Sequence, residues 1–300
     1  MPYKSGFVAI VGRPNVGKST FLNQVLGQKI SIVSDKPQTT RNKILGVKHL
    51  PTGQIIFFDT PGIHNTEREK SHLNQRMVHT ARSAVREVDL ILLLVEPQRE
   101  SEDQLLFDVL KKIETPKILV INKIDLVGKS KLITILDTFN SEKELAASHF
   151  SEIIPICAKT GENTDRLINL ALSYLPEGTP YFPEDQVTDQ PVRFLASEIV
   201  REKVIEKTRD EIPYVVSIQI ERFREDEEKG IIHIEVTLYV EKNSQKAILI
   251  GQKGGRLKEI GTAARIELED LLATKVFLQL WVKVKKEWRK NDLFLNEMGY

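Results

Sequence analysis

Two rhythms of apolar and polar positions divide this chain. Through the first 175 residues the apolar positions come in unbroken runs, at 7–11 (FVAIV), 54–59, 90–96, 118–122 and 153–157. Runs of that kind predict strands covered on both faces, as in a mostly parallel sheet. Stretches of helical period fall between them, near 18–27, 71–87, 101–113, 130–148 and 162–174. The segment KILGVKHLPTGQIIFFD departs from the alternation. Its two strand-like runs meet at Pro51-Thr52-Gly53, too short a link for a crossover, so they pair as an antiparallel hairpin. Alternating strand and helix predict a doubly wound α/β domain over residues 1–175.

Residues 176–192 have neither rhythm. They carry Pro176, Pro180, Pro183 and Pro191, with four acids and no base. Proline removes backbone donors and resists helix, so this acidic stretch reads as a linker. Beyond it, Leu195, Ile199, Val200 and Val204 share one face of a helix expected over 193–209. VSIQIE (216–221) and IHIEVTLYVE (232–241) alternate with period two, and the charged REDEEKG is expected to turn between them. A short helix (244–250), the turn GQKG, a long helix (255–273) and the alternating VFLQLWVKVK complete an α-β-β-α-α-β order. The second domain is expected over 193–285, with 286–300 as a C-terminal tail.

Composition narrows the class. With 300 residues, 41% hydrophobic and 28% charged, the chain can build two cores and is not a disordered or low-complexity protein. No apolar run reaches the ~18 residues of a membrane span, and MPYKSGFVAI enters a strand without a signal-peptide core. A lone cysteine, Cys157, forms no internal disulfide, so a reducing cytoplasm is the expected setting. The net charge of +1 points to no partner, but residues 242–290 hold 12 Lys+Arg against 5 Asp+Glu. That local excess permits an anionic partner.

The candidate chemistry lies at the predicted strand ends. Gly12, Arg13, Pro14, Asn15, Val16, Gly17, Lys18 and Ser19 match G-x-x-x-x-G-K-[ST] between a strand and a helix that continues with Thr20. In that context the loop amides cradle phosphates, Lys18 meets the β and γ groups, and the Ser19 hydroxyl is an inner-sphere ligand for Mg²⁺. Asp59, Thr60, Pro61 and Gly62 end another strand. The Asp59 carboxylate is placed to hold Mg²⁺ through water, and the Gly62 amide to sense a γ-phosphate. Asn122, Lys123, Ile124 and Asp125 follow a third. Asp125 offers two acceptors to the N1–H and 2-amino donors of guanine, which adenine lacks; Asn122 is expected to tie the loop to the phosphate cradle, and the Lys123 stem to cover the ring.

This set resembles the translation-factor-like GTPases and, within them, the Era family. The likeness covers nearly the whole chain: QTTRN (Gln38, Thr39, Thr40, Arg41, Asn42) as the first switch, CAK (Cys157, Ala158, Lys159) as the last guanine loop, YFPED in the linker and LWVKVK near the end. The resemblance implies a P-loop NTPase fold, GTP and GDP as ligands, Mg²⁺ on Ser19, Thr40 and Asp59, and slow hydrolysis of GTP. Thr39 is the alternative to Thr40. It also implies that the Ala158 amide donates to guanine O6. Cys157 departs from the usual serine there, so a supporting hydroxyl bond is expected to be lost or weakened. Ile63 stands where many GTPases place a water-orienting glutamine, a departure shared by Era-like members. Asn15 resembles the loop asparagine with which such members hold an activating K⁺; an asparagine suited to a tight turn is the other reading. His64 is read as a solvated switch residue rather than a base.

In the second half, Gly251-Gln252-Lys253-Gly254 lies between two helices. A lone G-x-x-G means little; within α-β-β-α-α-β order it resembles a type II KH domain, an α+β fold whose groove reads about four unpaired bases. Lys246, Lys253, Arg256 and Lys258 are the expected phosphate contacts. Trp281 and Trp288 are open between stacking on nucleotides and packing. Family resemblance names the RNA as the single-stranded 3′ end of small-subunit (16S) rRNA during 30S assembly. It further implies a monomer in the cytoplasm with peripheral contact at the inner face of the membrane, for which this chain offers a basic surface and no lipidation motif. Two other readings stay open: an RNA chaperone in which GTP binding is structural, and a related GTPase acting on another RNA or on DNA.

Overall fold

The computed structural model describes residues 2–62, 71–98, 100–141 and 150–300. The chain divides into two compact units, the first comprising Met1–Ser31, Thr40–Lys70 and Asn74–Asp189, the second Ile32–Thr39, Ser71–Leu73 and Gln190–Tyr300. The first half runs β1 (Lys4–Gly12), α1 (Lys18–Leu26), β2 (Ile44–Leu50), β3 (Gly53–Asp59), α2 (His72–Ala84), β4 (Leu90–Val95), α3 (Ser101–Leu110), β5 (Lys117–Ile121), α4 (Lys129–Ser141), β6 (Glu152–Pro155) and α5 (Thr164–Tyr174).

Its six strands lie in the order β2-β3-β1-β4-β5-β6. All neighbours are parallel except β2 and β3, the predicted hairpin. The uniform runs are uniform because both faces are covered. Ala9, Val11, Leu93 and Leu119 pack against Ala81 and Val85 near α2 and Leu106 and Phe107 of α3 on one side. On the other, Phe21 of α1 meets Phe57 edge to face with centroids 6.1 Å apart. Each such side chain contributes about 1.5–3 kcal/mol on burial, so the sheet centre rather than the loops holds the unit together. Parallel register then brings the carboxyl ends of β1, β3 and β5 to one edge, where Ile10 pairs with Asp59 and Gly12 with Leu94. All three motif loops leave from that edge.

The proline-rich segment is not a free coil. Gln54 of β3 accepts from the Tyr181 and Phe182 amides and donates to the Phe182 carbonyl. Further along, the Val47 amide donates to Val187 O, and Thr188 Oγ1 to Leu45 O at 2.6 Å. These bonds strap residues 181–188 across β2 and β3, and the buried Gln54 is fully used in doing so.

The second unit contains α6 (Val192–Lys207), α7 (Ile212–Val215), β7 (Ser217–Asp226), β8 (Ile231–Val240), α8 (Asn243–Ile250), α9 (Gly255–Leu272), β9 (Lys275–Val284) and α10 (Asp292–Glu297). β8 lies between an antiparallel β7 and a parallel β9. The alternating apolar residues form its core, Ile232, Ile234, Val236 and Leu238 packing with Val200, Val204, Leu249, Ile260 and Ala264. Arg201, only 1% exposed, pairs with Glu198 and donates to the carbonyl of Thr39, while Glu202 accepts from the Val33 amide. These bonds explain why 32–39 groups with this unit.

One expectation is corrected, and one left open is decided for packing. The turn after β7 begins later than REDEEKG suggests: Arg224, Glu225 and Asp226 are strand, and a register shift between Ile220 and Arg222 accommodates them. Trp288 does not face solvent. It is fully buried, its indole N–H donates to Val215 O at 2.9 Å, and Tyr300 stacks on it. The tail 286–300 therefore completes the second core. No helix among the described residues is long and apolar enough to cross a membrane.

Candidate functional site

The glycine-rich turn joins β1 to α1 as its spacing predicts. Gly17 sits at φ +97°, and a Cβ there would collide with the Asn122 amide. Glycine is thus needed twice over, for conformation and for clearance. The first turn of α1 has no side-chain cap, which leaves its amides and the positive end of its dipole facing the turn. Lys18 is buried with its ammonium on the carbonyls of Gly12 and Arg13, at 3.1 and 2.8 Å. Burial, with a smaller push from Arg13, lowers its pKa to about 8, against the opposing pull of Asp59. A cation so poorly solvated is primed for a polyanion.

Ser19, Thr40 and Asp59 converge. Ser19 gives its single hydroxyl proton to Asp59 Oδ2 at 2.6 Å, so Thr40 must be the donor in the 2.9 Å contact between the two hydroxyls. Burial raises the Asp59 pKa, opposed by Lys18, Ser19 and Ser31. The other oxygen, Oδ1, is buried without a hydrogen-bond partner among the described residues. An orphaned carboxylate oxygen beside two hydroxyls is a donor set for a small hard cation, and it fits Mg²⁺. Thr39 is turned away, its hydroxyl donating to Lys36 O.

The remaining cradle residues divide by role. The Arg13 guanidinium donates to Asp103 at 2.6 Å and pairs with Glu100 at 3.2 Å, while its Nη2 is buried without a hydrogen-bond partner among the described residues. Asn15 is exposed in the left-handed region at φ +64°, Pro14 lies against Gly62, and Thr20 is half-buried in α1. Thr60 is an anchor, donating to Ile10 O, and Pro61 is buried beside it. In the first switch Gln38 is left-handed, Arg41 is buried and Asn42 half-buried. Ile63 and His64 lie outside the described residues.

At the end of β5, Asn122 ties its loop to the phosphate loop as expected and reaches the loop of Ala158 as well. Its amide donates to Val16 O at 2.7 Å and its carbonyl accepts from the Ala158 amide at 2.9 Å. The amide that resemblance assigns to guanine O6 is therefore engaged, and donation to a base would have to be shared. Asp125 is exposed and accepts from the Cys157 thiol at 3.1 Å. A thiol is a weaker donor than a hydroxyl. Lys123 pairs with Glu96, which holds its stem along the loop, and Lys159 is exposed.

Some contributors carry no local signal. Ser31, fully buried, donates to Asp59 Oδ2 at 2.9 Å, and Asn23 fixes its backbone through three hydrogen bonds to residues 30 and 31. Asp103 lies 90 positions from the Arg13 it anchors. Neither Ser31 nor Asp103 belongs to a motif, and spacing alone does not find them.

In the second unit, α8 ends at Gly251, which adopts φ +69° and whose added Cβ would lie 2.8 Å from Arg256 Cβ. Lys253 and Gly254 are left-handed too, so the turn bends sharply into α9, whose first amides again lack a side-chain cap. Gln252, Lys253, Arg256 and Lys258 are exposed around it and Lys246 is half-buried. Arg256 is partly used, donating to Ile248 O at 3.0 Å. Beside the turn a groove of about 400 Å³ runs between α9 and β9, lined by Gly254, Leu257, Lys258, Gly261, Leu278 and Leu280 among others. Of the expected contacts only Gly254 and Lys258 line it. Its apolar wall from β9 is indistinguishable from core in an alternating strand.

Comparison with known proteins agrees with both halves. A family model described as 50S ribosome-binding GTPase matches residues 7–123, and a KH domain model matches 211–289. The GTPase Era of Geobacter metallireducens is 50% identical over 301 aligned positions, covering 100% of this chain and 98% of the relative. That of Geotalea daltonii is 50% identical over 99% of this chain and 98% of its own. Among solved structures, a variant of Aquifex aeolicus Era bound to GDP·AlF₄⁻ is 42% identical with a TM-score of 0.92, covering 99% of both chains. Era in complex with MgGDPNP and nucleotides 1506–1542 of 16S ribosomal RNA is 43% identical with a TM-score of 0.93, again over 99% of both. With the phosphate loop, the guanine loop and the GQKG turn all in place, and half of all positions identical from end to end, this chain belongs to the Era family: it is a GTPase whose P-loop α/β domain is followed by a KH RNA-binding domain.

Proposed function

We propose that this GTPase binds the single-stranded 3′ end of 16S rRNA through its KH half and acts in 30S subunit assembly, with its nucleotide state altering RNA affinity. The observation that carries the reading is the groove beside GQKG, an apolar slot with exposed cations at its mouth, in a chain 43% identical to an Era bound to that rRNA segment. G-domain residues 1–175, the strapped segment 176–192, the KH residues 193–285 and the tail 286–300 are the working domains of this proposal.

In the G domain, the loop amides and Lys18 bind the phosphates, Asn122 holds the phosphate and guanine loops together, and Asp125 selects the base. Ser19 and Thr40 would hold Mg²⁺, with Asp59 behind them. The ion supplies positive charge against the β- and γ-phosphates when bound. Ile63 has no polar group with which to align water, so intrinsic turnover is slow. Asn15 would hold a monovalent cation in place of an arginine finger. Hydrolysis is then expected to run faster in KCl than in NaCl, and Asn15→Ala to erase the difference; equal rates in both salts exclude that role.

The RNA reading is tested with a fluorescent oligonucleotide of the rRNA 3′ end. Affinity should differ between the GDPNP-bound and GDP-bound protein. Lys253→Ala and Lys258→Ala should each weaken binding and reduce the salt dependence by about 0.7 per lost phosphate contact. Equal affinity in both nucleotide states would remove the coupling, and an unchanged salt slope would remove these lysines from the interface.

A further inference from the structure

Strand β9 has two working faces. It is an edge strand, paired only with β8. Its inward row supplies Leu278 and Leu280 to the groove beside GQKG. Its outward row reads Lys275, Phe277, Gln279, Trp281 and Lys283, two aromatics between two cations, with Lys283 reaching Glu221 of β7 at 3.4 Å. Phe277 is 49% exposed and Trp281 42%. The His233 ring of β8 lies tilted against Phe277, with centroids 5.3 Å apart. The C-terminal tail covers the other part of this sheet face, Phe294 packing on Tyr239 and Tyr300 reaching Ser217, and those contacts include neither Phe277 nor Trp281. The contrast with Trp288 matters: one tryptophan is entirely consumed by packing, the other is left with its ring in water.

Exposed aromatics flanked by cations on a sheet suit a single-stranded nucleic acid, because every base has a face to stack and every linkage a phosphate to neutralise. We propose that the outward row of β9 is a second subsite for the same RNA strand: bases leaving the groove pass over the edge of β9 and stack on Trp281 and Phe277, with Lys275 and Lys283 meeting the phosphates on either side. This inference rests on the KH groove binding single-stranded RNA, and deepens it. The groove holds about four nucleotides, so the subsite is read only by longer strands.

The test compares an unstructured RNA tetramer with an octamer on the full-length, GDPNP-bound protein. The octamer is expected to bind more tightly than the tetramer. Trp281→Ala is expected to lower octamer affinity about 5- to 150-fold while tetramer affinity stays unchanged, and Phe277→Ala to act likewise. A length increment that survives in the Phe277→Ala, Trp281→Ala double variant, with its circular dichroism intact, overturns the proposal. A wild-type measurement needs no variant to fold: the octamer, and not the tetramer, should shield the exposed tryptophan from acrylamide quenching. Unchanged quenching with the octamer bound also overturns it. Failure of the tetramer itself to bind is a different result, which removes the groove reading and this subsite with it.

Discussion

Lys18→Ala is expected to abolish GTP binding at micromolar protein concentrations. The ammonium is buried in a cradle of carbonyls and uncapped amides, so a triphosphate entering it forms a desolvated charge pair. Removing one partner of such a pair costs about 2–5 kcal/mol, roughly 30- to 4,000-fold in affinity. A pH signature accompanies it. The free protein holds Lys18 at a pKa of about 8, below the ordinary 10.5, because burial penalises the charge. The phosphates restore that charge, so GTP binding above pH 8 must take up a proton, and wild-type affinity should fall by up to tenfold per unit between pH 8 and 9. Calorimetry in buffers of different ionisation enthalpy reads the uptake directly. The same depressed pKa means that the nucleotide-free protein gains stability as pH rises from 8 toward 10.5, since the unfolded chain binds the extra proton there. Affinity independent of pH over this range, or a Lys18→Ala protein that retains GTP, would contradict this account of the cradle.

Asp125→Asn should exchange the base preference. The carboxylate offers two acceptors to the N1–H and 2-amino group of guanine, and an asparagine offers one acceptor and one donor. Guanine would then face a donor with a donor. Sites built around such bonds reject a mismatched partner by about 10⁴-fold or more, so GTP affinity should fall by at least two orders of magnitude. Xanthine carries a carbonyl at that position, and xanthosine triphosphate should bind the variant in its place. Competition titration of GTP, ATP and XTP on both proteins separates the outcomes. A variant that still prefers GTP would show that Asp125, which is exposed and also accepts from Cys157, does not read the base.

What could be read from the sequence was what local physics dictates. The Gly12–Ser19 turn is legible because glycine, lysine and serine at that spacing serve one polyanion within a few residues. Strands β4 and β5 are legible because burial on both faces leaves no polar position. The anchoring of the Arg13 side chain is not legible for the same reason: its place in the motif is local, but its partner Asp103 comes from a distant helix. Ser31 escaped notice because a buried serine between two isoleucines resembles strand filler until Asp59 is folded against it. The groove wall formed by Leu278 and Leu280 escaped too, since an edge strand alternates like any other and hides which of its faces has an opening. The segment 181–188 has the composition of a coil, and only the buried Gln54 side chain binds it as a strap. Trp281 and Trp288 could not be told apart by residue type. Position in the fold separates them, one in the core and one on the open face of an edge strand.

The proposed function couples a guanine nucleotide to the single-stranded end of small-subunit rRNA within one chain. Ultraviolet crosslinking of the protein in living cells, followed by sequencing of the attached nucleic acid and mass spectrometry of the attached peptide, tests this most directly. The predicted result is a peak of reads at the 3′ end of 16S rRNA, joined to peptides of α8, GQKG, α9 and β9, and weakened in cells carrying Lys18→Ala. Reads concentrated on transfer RNA, spread evenly over cellular RNA, or joined mainly to G-domain peptides would contradict it.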